Sequence, residues 1–206
     1  MLIIGLIGSL SSGKHLIADI LHEQYDFVIL EYKDFKKKKD HTAKECLSKV
    51  KETWPKNVVI VGIDSLKAMT EIRDNPQFFP IAIEGPLILR FQRQKHPIIH
   101  SLEMFVQLDD YLMFGLSSNE QYIENMLENL HLDSKDISPL NKCMDSCDLR
   151  LINDTNDRRN LEKKLADLLS VNSKDQQSTT TIKLLCPNWD QYFLMLAWIT
   201  ASQLVS

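Results

Sequence analysis

Seven residues near the start of the chain, Gly8-Ser9-Leu10-Ser11-Ser12-Gly13-Lys14, fit the spacing G-x-x-x-x-G-K. Two glycines let a backbone turn tightly and bring several N–H groups onto one concave side, which is the chemistry of anion binding. Lys14 places a point charge on the outer phosphates of such an anion and is the candidate catalytic cation. Ser9, Ser11 and Ser12 supply loop amides and hydroxyls. The position after the lysine normally carries Ser or Thr to hold Mg²⁺, but here it is His15, and imidazole suits zinc or copper better than magnesium. Ser11 or Ser12 is left as a substitute hydroxyl. Gly8 through His15 therefore predict phosphate binding more strongly than phosphoryl transfer.

Other side chains extend this chemistry. Asp34 is either a base-like carboxylate or a helix cap. Arg90 and Arg93 stand three apart on one helix face, as a phosphate clamp or as a solvated basic face. His96 and His100 are four apart, but Pro97 forbids the regular helix that would join them at a zinc ion. Cys143 and Cys147 have no second pair and read as small residues sharing a helix face. Lys36-Lys37-Lys38-Lys39 reads as a solvated helix start or loop.

The elements that must position these groups alternate. Leu2 to Ile7 is an almost unbroken apolar run, the pattern of a strand buried on both faces of a parallel sheet. A helix with Leu16, Ile17, Ile20 and Leu21 on one face follows the glycine loop, so its N-terminal partial charge faces the same anion. Short strands are predicted at Phe27–Leu30, Val58–Val61, Phe79–Ile83 (Pro80 at its start) and Leu149–Ile152. Helices are predicted over about Asp34–Thr53, from an Asp64 cap through Ile72, over Leu87–Phe114 in two pieces around Pro97, around Tyr122–Leu130, and over Asp157–Leu169. Alternation of this kind gives a three-layer α/β fold with a five-stranded parallel sheet, of the P-loop NTPase type, and ligands at the carboxyl ends of the strands.

The chain has 206 residues, 44% hydrophobic and 25% charged, with net charge −4. That acidic balance argues against nucleic-acid partners. No apolar run is long enough to span a membrane and no secretory leader precedes the first strand, so no membrane partner and a cytoplasmic or nuclear location are expected. Residues 171–182 form a polar, simple linker between the domain at 1–170 and an apolar helix at 183–206. A helix apolar all round must be buried, so it docks on the α/β domain or drives formation of a homo-oligomer.

Val58 to Ile63, Phe79 to Arg93 and Cys147 to Leu169 resemble the third strand, the fourth strand with its arginine-bearing helix, and the terminal strand and helix of the nucleoside-monophosphate-kinase and dephospho-coenzyme A kinase group. Cys186-Pro187-Asn188-Trp189-Asp190-Gln191-Tyr192-Phe193 resembles the opening of the deoxycytidylate (dCMP) deaminase domain. Some fungal dCMP deaminases carry a P-loop kinase-like domain ahead of it. The resemblance implies a nucleotide-binding domain of such a protein, cut off within the first deaminase helix. Intact members convert dCMP to dUMP.

It further implies that Asn153 starts a base-contacting loop and that the ligand is ATP or another nucleoside phosphate, with Mg²⁺ weakened. The kinase group's strand-three aspartate maps onto Val61 and its arginine onto Asp64, which removes an electrostatic element of phosphoryl transfer. The deaminase signatures His-x-Glu and Pro-Cys-x-x-Cys do not occur, so no metal site and no zinc are expected here. Two alternatives stand beside this reading: an active small-molecule phosphotransferase, and a non-enzymatic scaffold with a degenerate loop.

Overall fold

The computed structural model describes residues 1–35, 42–115, 123, 127 and 139–170. The chain divides into two compact units, Met1–Leu161 and Glu162–Ser206. Strand β1 (Ile3–Gly8) is buried along its whole length. It pairs in parallel with β3 (Val58–Val61) on one side and β4 (Phe78–Glu84) on the other. With β2 (Val28–Glu31) and β5 (Leu149–Ile152) outermost, the sheet runs β2-β3-β1-β4-β5, every pair parallel. The three-layer α/β expectation describes this architecture.

Helix α1 (Lys14–Tyr25) buries Ile17, Ala18, Ile20 and Leu21 and lies against β1, β2 and β3. Ile3, Ile7, Val58 and Ile60 of the sheet share a core with α2 (Thr42–Glu52), α3 (Leu66–Arg73) and α6 (Leu140–Asp145). Each such aliphatic side chain contributes about 1.5–3 kcal/mol when fully buried. A smaller cluster joins Ile99, Phe105 and Leu108 to Ile123 and Leu127, around α4 (Leu87–Arg93) and α5 (Leu102–Phe114). Helix α7 (Arg158–Ser170) closes the described chain.

Several boundaries differ from expectation for local reasons. In the segment read as one helix from Asp34, Asp34 lies in a 3₁₀ turn, Tyr32–Phe35, and α2 covers Thr42–Glu52. Ser65, not Asp64, caps α3, because its hydroxyl reaches the Ala68 N–H at 3.5 Å. Pro80 is the third residue of β4 rather than its start. Its carbonyl accepts from Asp148 N–H at 3.1 Å on the β5 side, so its missing donor falls just ahead of the β5 ladder, which begins at Ile81–Leu149. The short helix α6 is too brief to show a periodic apolar face in the sequence, although Cys143 and Cys147 do pack on one side, with the Cys147 thiol 3.3 Å from the Cys143 carbonyl. Of the helix expected over Tyr122–Leu130, Ile123 and Leu127 are helical and buried, and the rest lies outside the described residues. So do the lysine run, the linker at 171–182 and the helix at 183–206.

Candidate phosphate-binding site

In a parallel sheet whose order switches direction at β1, the loop after β1 opens at the crevice where ligands bind. Gly8 ends the strand so close to β4 that a Cβ there would sit 2.3 Å from the Ile83 carbonyl oxygen. Ser11 (φ 55°) and Gly13 (φ 98°) are left-handed and flank Ser12, the alternation that turns successive N–H groups to one side. The Ser12 N–H closes a turn onto Ser9 O at 3.3 Å. Helix α1 starts without any side-chain cap, and its first internal bond runs from Ile17 N–H to Gly13 O at 3.1 Å. The amides of its opening turn are therefore left for an external acceptor.

Lys14 folds back across the loop, donating to Gly8 O at 2.7 Å and Ser9 O at 2.8 Å. Burial pulls its ammonium down to about 8, and the nearby Arg90 charge pushes the same way against Asp64, Glu31 and Asp109. Its own charge is thus disfavoured where it stands, and an anion beside it would favour that charge again.

The loop's remaining members divide by exposure. Ser9 is buried; Ser12 is fully buried, with its hydroxyl unpaired and 2.8 Å from the Cβ position of Gly8. His15 is exposed, and its Nε2 lies 3.2 Å from the Glu31 carboxylate at the end of β2. Lys33 stands 3.8 Å from the same carboxylate. Magnesium demands an octahedron of oxygens, and with imidazole at residue 15 and Val61 in β3 the residues present do not fit its usual hold. Among the described residues no group of three or more His, Cys, Asp or Glu is placed to hold a metal ion.

Arg90 is 7% exposed and grips Asp109 with both terminal nitrogens, at 2.6 and 2.7 Å. Its Nε donates to Gly85 O at 2.9 Å, and Nη1 lies 3.4 Å from Leu10 O in the glycine loop. The Phe105 ring packs 5.6 Å from the guanidinium. A solvated basic face is thus not what Arg90 forms; its charge is buried because it is paired. Arg93, one turn on, donates to Asn156 Oδ1 (2.8 Å), Thr155 O (2.6 Å) and Asn153 O (3.2 Å). Burial lowers its pKa, opposed by the charge of Asp154.

Asn153 is 1% exposed, and its Nδ2 donates to Ser12 O at 2.8 Å. A Cβ on Gly13 would fall 2.3 Å from that nitrogen, so Gly13 is required both for its φ and for this approach. Asp34 sits exposed in the 3₁₀ turn after β2, one turn past Glu31. The structure thus brings Gly8–His15, Arg90, Arg93 and Asn153 together, with the two arginines acting on neighbouring loops.

Three carboxylates near the loop are not predicted as site residues from the sequence: Glu31, Asp109 and Asp64, which reads there as a helix cap. Each carried a signal. Glu31 ends an apolar strand at the side where ligands bind, Asp109 interrupts an apolar helix, and Asp64 follows β3 just beyond Val61.

No protein-family model matches the sequence. The chain is 25% identical over 216 aligned residues to the deoxycytidylate deaminase of Schizosaccharomyces pombe, covering 97% of this chain and 58% of that protein. It is 23% identical to the deoxycytidylate deaminase of Saccharomyces cerevisiae, covering 98% of this chain and 57% of that one. It therefore spans under three fifths of these relatives' length. An uncharacterised protein from Eubacterium ventriosum superposes with a TM-score of 0.53 at 17% identity, over 84% of this chain and all of that one. A shikimate kinase from Bacteroides thetaiotaomicron gives 0.51 at 13% identity, over 82% of this chain and 97% of its own. The fold is that of the P-loop kinases, and over nearly its whole length the sequence is similar to fungal deoxycytidylate deaminases.

Proposed function

We propose that this chain is a nucleoside-phosphate-binding, kinase-derived domain of a deoxycytidylate-deaminase-type protein. It has little or no phosphotransferase activity of its own and senses a nucleotide or assists assembly. The observation that carries the reading is the glycine loop itself: alternating left-handed residues, an uncapped helix start, and Lys14 folded over their common hollow. His15 and Val61, where a hydroxyl and a carboxylate would serve magnesium, support binding without turnover. The similarity to fungal deoxycytidylate deaminases supports nucleotide metabolism as the setting.

The test is thermal shift and calorimetry of the whole chain with a panel of nucleoside phosphates, in parent and Lys14→Ala. Binding in the parent and its loss in the variant are expected, without release of product. If no nucleoside phosphate binds, the reading fails and a ligand-free scaffold remains. An active phosphotransferase is the second reading, favoured by one observation: Asp64, past the end of β3, acts electrostatically on Lys14. Magnesium-dependent turnover abolished by Lys14→Ala would establish it.

A further inference from the structure

The charge balance around the glycine loop narrows the ligand, on the reading that the loop binds a phosphate at all. Phosphoryl-transfer loops meet a polyphosphate with a lysine, a divalent ion bridging the outer oxygens, and commonly arginines closing from a lid. Among the described residues, the basic groups other than Lys14 around the loop have partners. The buried Arg90 guanidinium is bound bidentately by Asp109 and also faces Gly85 and Leu10 carbonyls. Arg93 distributes its donors over Asn153, Thr155 and Asn156. His15 and Lys33 both lie against Glu31.

The position that would bring a metal's charge carries His15, and of the two alternative hydroxyls Ser12 is fully buried, which leaves only the half-buried Ser11. Lys14 itself answers to the carboxylates of Asp64, Glu31 and Asp109. Among the described residues, what remains for an anion is one ammonium and the amides of one loop and one helix start. That set, one full charge plus about half a charge from the helix start, comes near the roughly 1.5 to 2 negative charges of a single phosphate group at neutral pH. It is short of the cations a triphosphate needs.

We infer that the loop takes a single phosphate group, a phosphomonoester or free phosphate dianion bound without a divalent cation, rather than a magnesium–polyphosphate complex.

The experiment is calorimetry of the full chain with four probes: inorganic phosphate, adenosine monophosphate, ATP, and ATP with magnesium. Phosphate or the monophosphate should bind at least about tenfold tighter than ATP, with or without magnesium, a difference of about 1.4 kcal/mol. Equal affinity for phosphate and monophosphate assigns recognition to free phosphate; a tighter monophosphate assigns it to the ester. Lys14→Ala should abolish either. His15→Ser combined with Val61→Asp should give ATP binding a magnesium dependence that the parent lacks.

ATP with magnesium binding as tightly as the monophosphate, or tighter, overturns the inference and leaves the nucleotide reading standing. Silence from all four probes overturns both.

Discussion

Replacing Gly13 by alanine tests the geometry on which the site depends. At φ 98° an L-residue pays about 1–2 kcal/mol for the left-handed backbone. The new methyl would also start 2.3 Å from Asn153 Nδ2, displacing the bond to Ser12 O, which is worth about 0.5–1.5 kcal/mol. Against this, alanine restricts the unfolded chain and returns about 0.4–1 kcal/mol. The net loss is about 0.5–3 kcal/mol, a fall in Tm on the order of 5 °C for a domain of this size.

A thermal melt of Gly13→Ala, Asn153→Ala and the double variant separates the two contributions. Asn153→Ala alone forfeits its bond and leaves the Ser12 carbonyl short of a donor. In the double variant the collision is gone, so the two losses should fall short of their sum by about 1 kcal/mol. A Gly13→Ala protein as stable as the parent or more so would mean that residue 13 is not left-handed. Strict additivity would mean that Asn153 does not touch the loop.

The remaining predictions concern charge. Lys14 is held at about 8 when folded against an ordinary value of 10.5, so below pH 8 both folded and unfolded chains carry its proton and the cost of burying the charge is fully present. Between pH 8 and 10.5 the unfolded chain holds more protons, so this group adds stability as pH rises. Lys14→Met should therefore melt above the parent at pH 7, with a gap that narrows by pH 10. Phosphate binding at pH 8 should take up protons, because an anion raises the lysine's pKa; calorimetry in two buffers of different ionisation enthalpy reads this directly. Asp109→Ala strands the buried Arg90 charge and should cost about 3–5 kcal/mol, whereas Arg90→Met with Asp109→Leu should cost far less, by denaturant melts.

What the sequence made legible follows from how local each cause is. The apolar run of β1, the two glycines and the periodic face of α1 lie within one stretch of chain, and the structure has all three where the pattern puts them. Asn153 was placed only by resemblance, since its partner Ser12 is 141 residues away and no local pattern encodes that bond. Arg90 reads like any exposed arginine until Asp109, nineteen residues on and in another helix, is folded against it. Pro80 seemed a strand start because its tolerance depends on where a neighbouring strand begins, which one segment does not record.

Helix α4 also ties together two loops far apart in sequence. Arg90 reaches the glycine loop at Leu10, and Arg93, on the same short helix, holds the turn at 153–156. Asn153 closes the triangle by donating to Ser12 O, so a displacement of this one helix pulls on both loops at once.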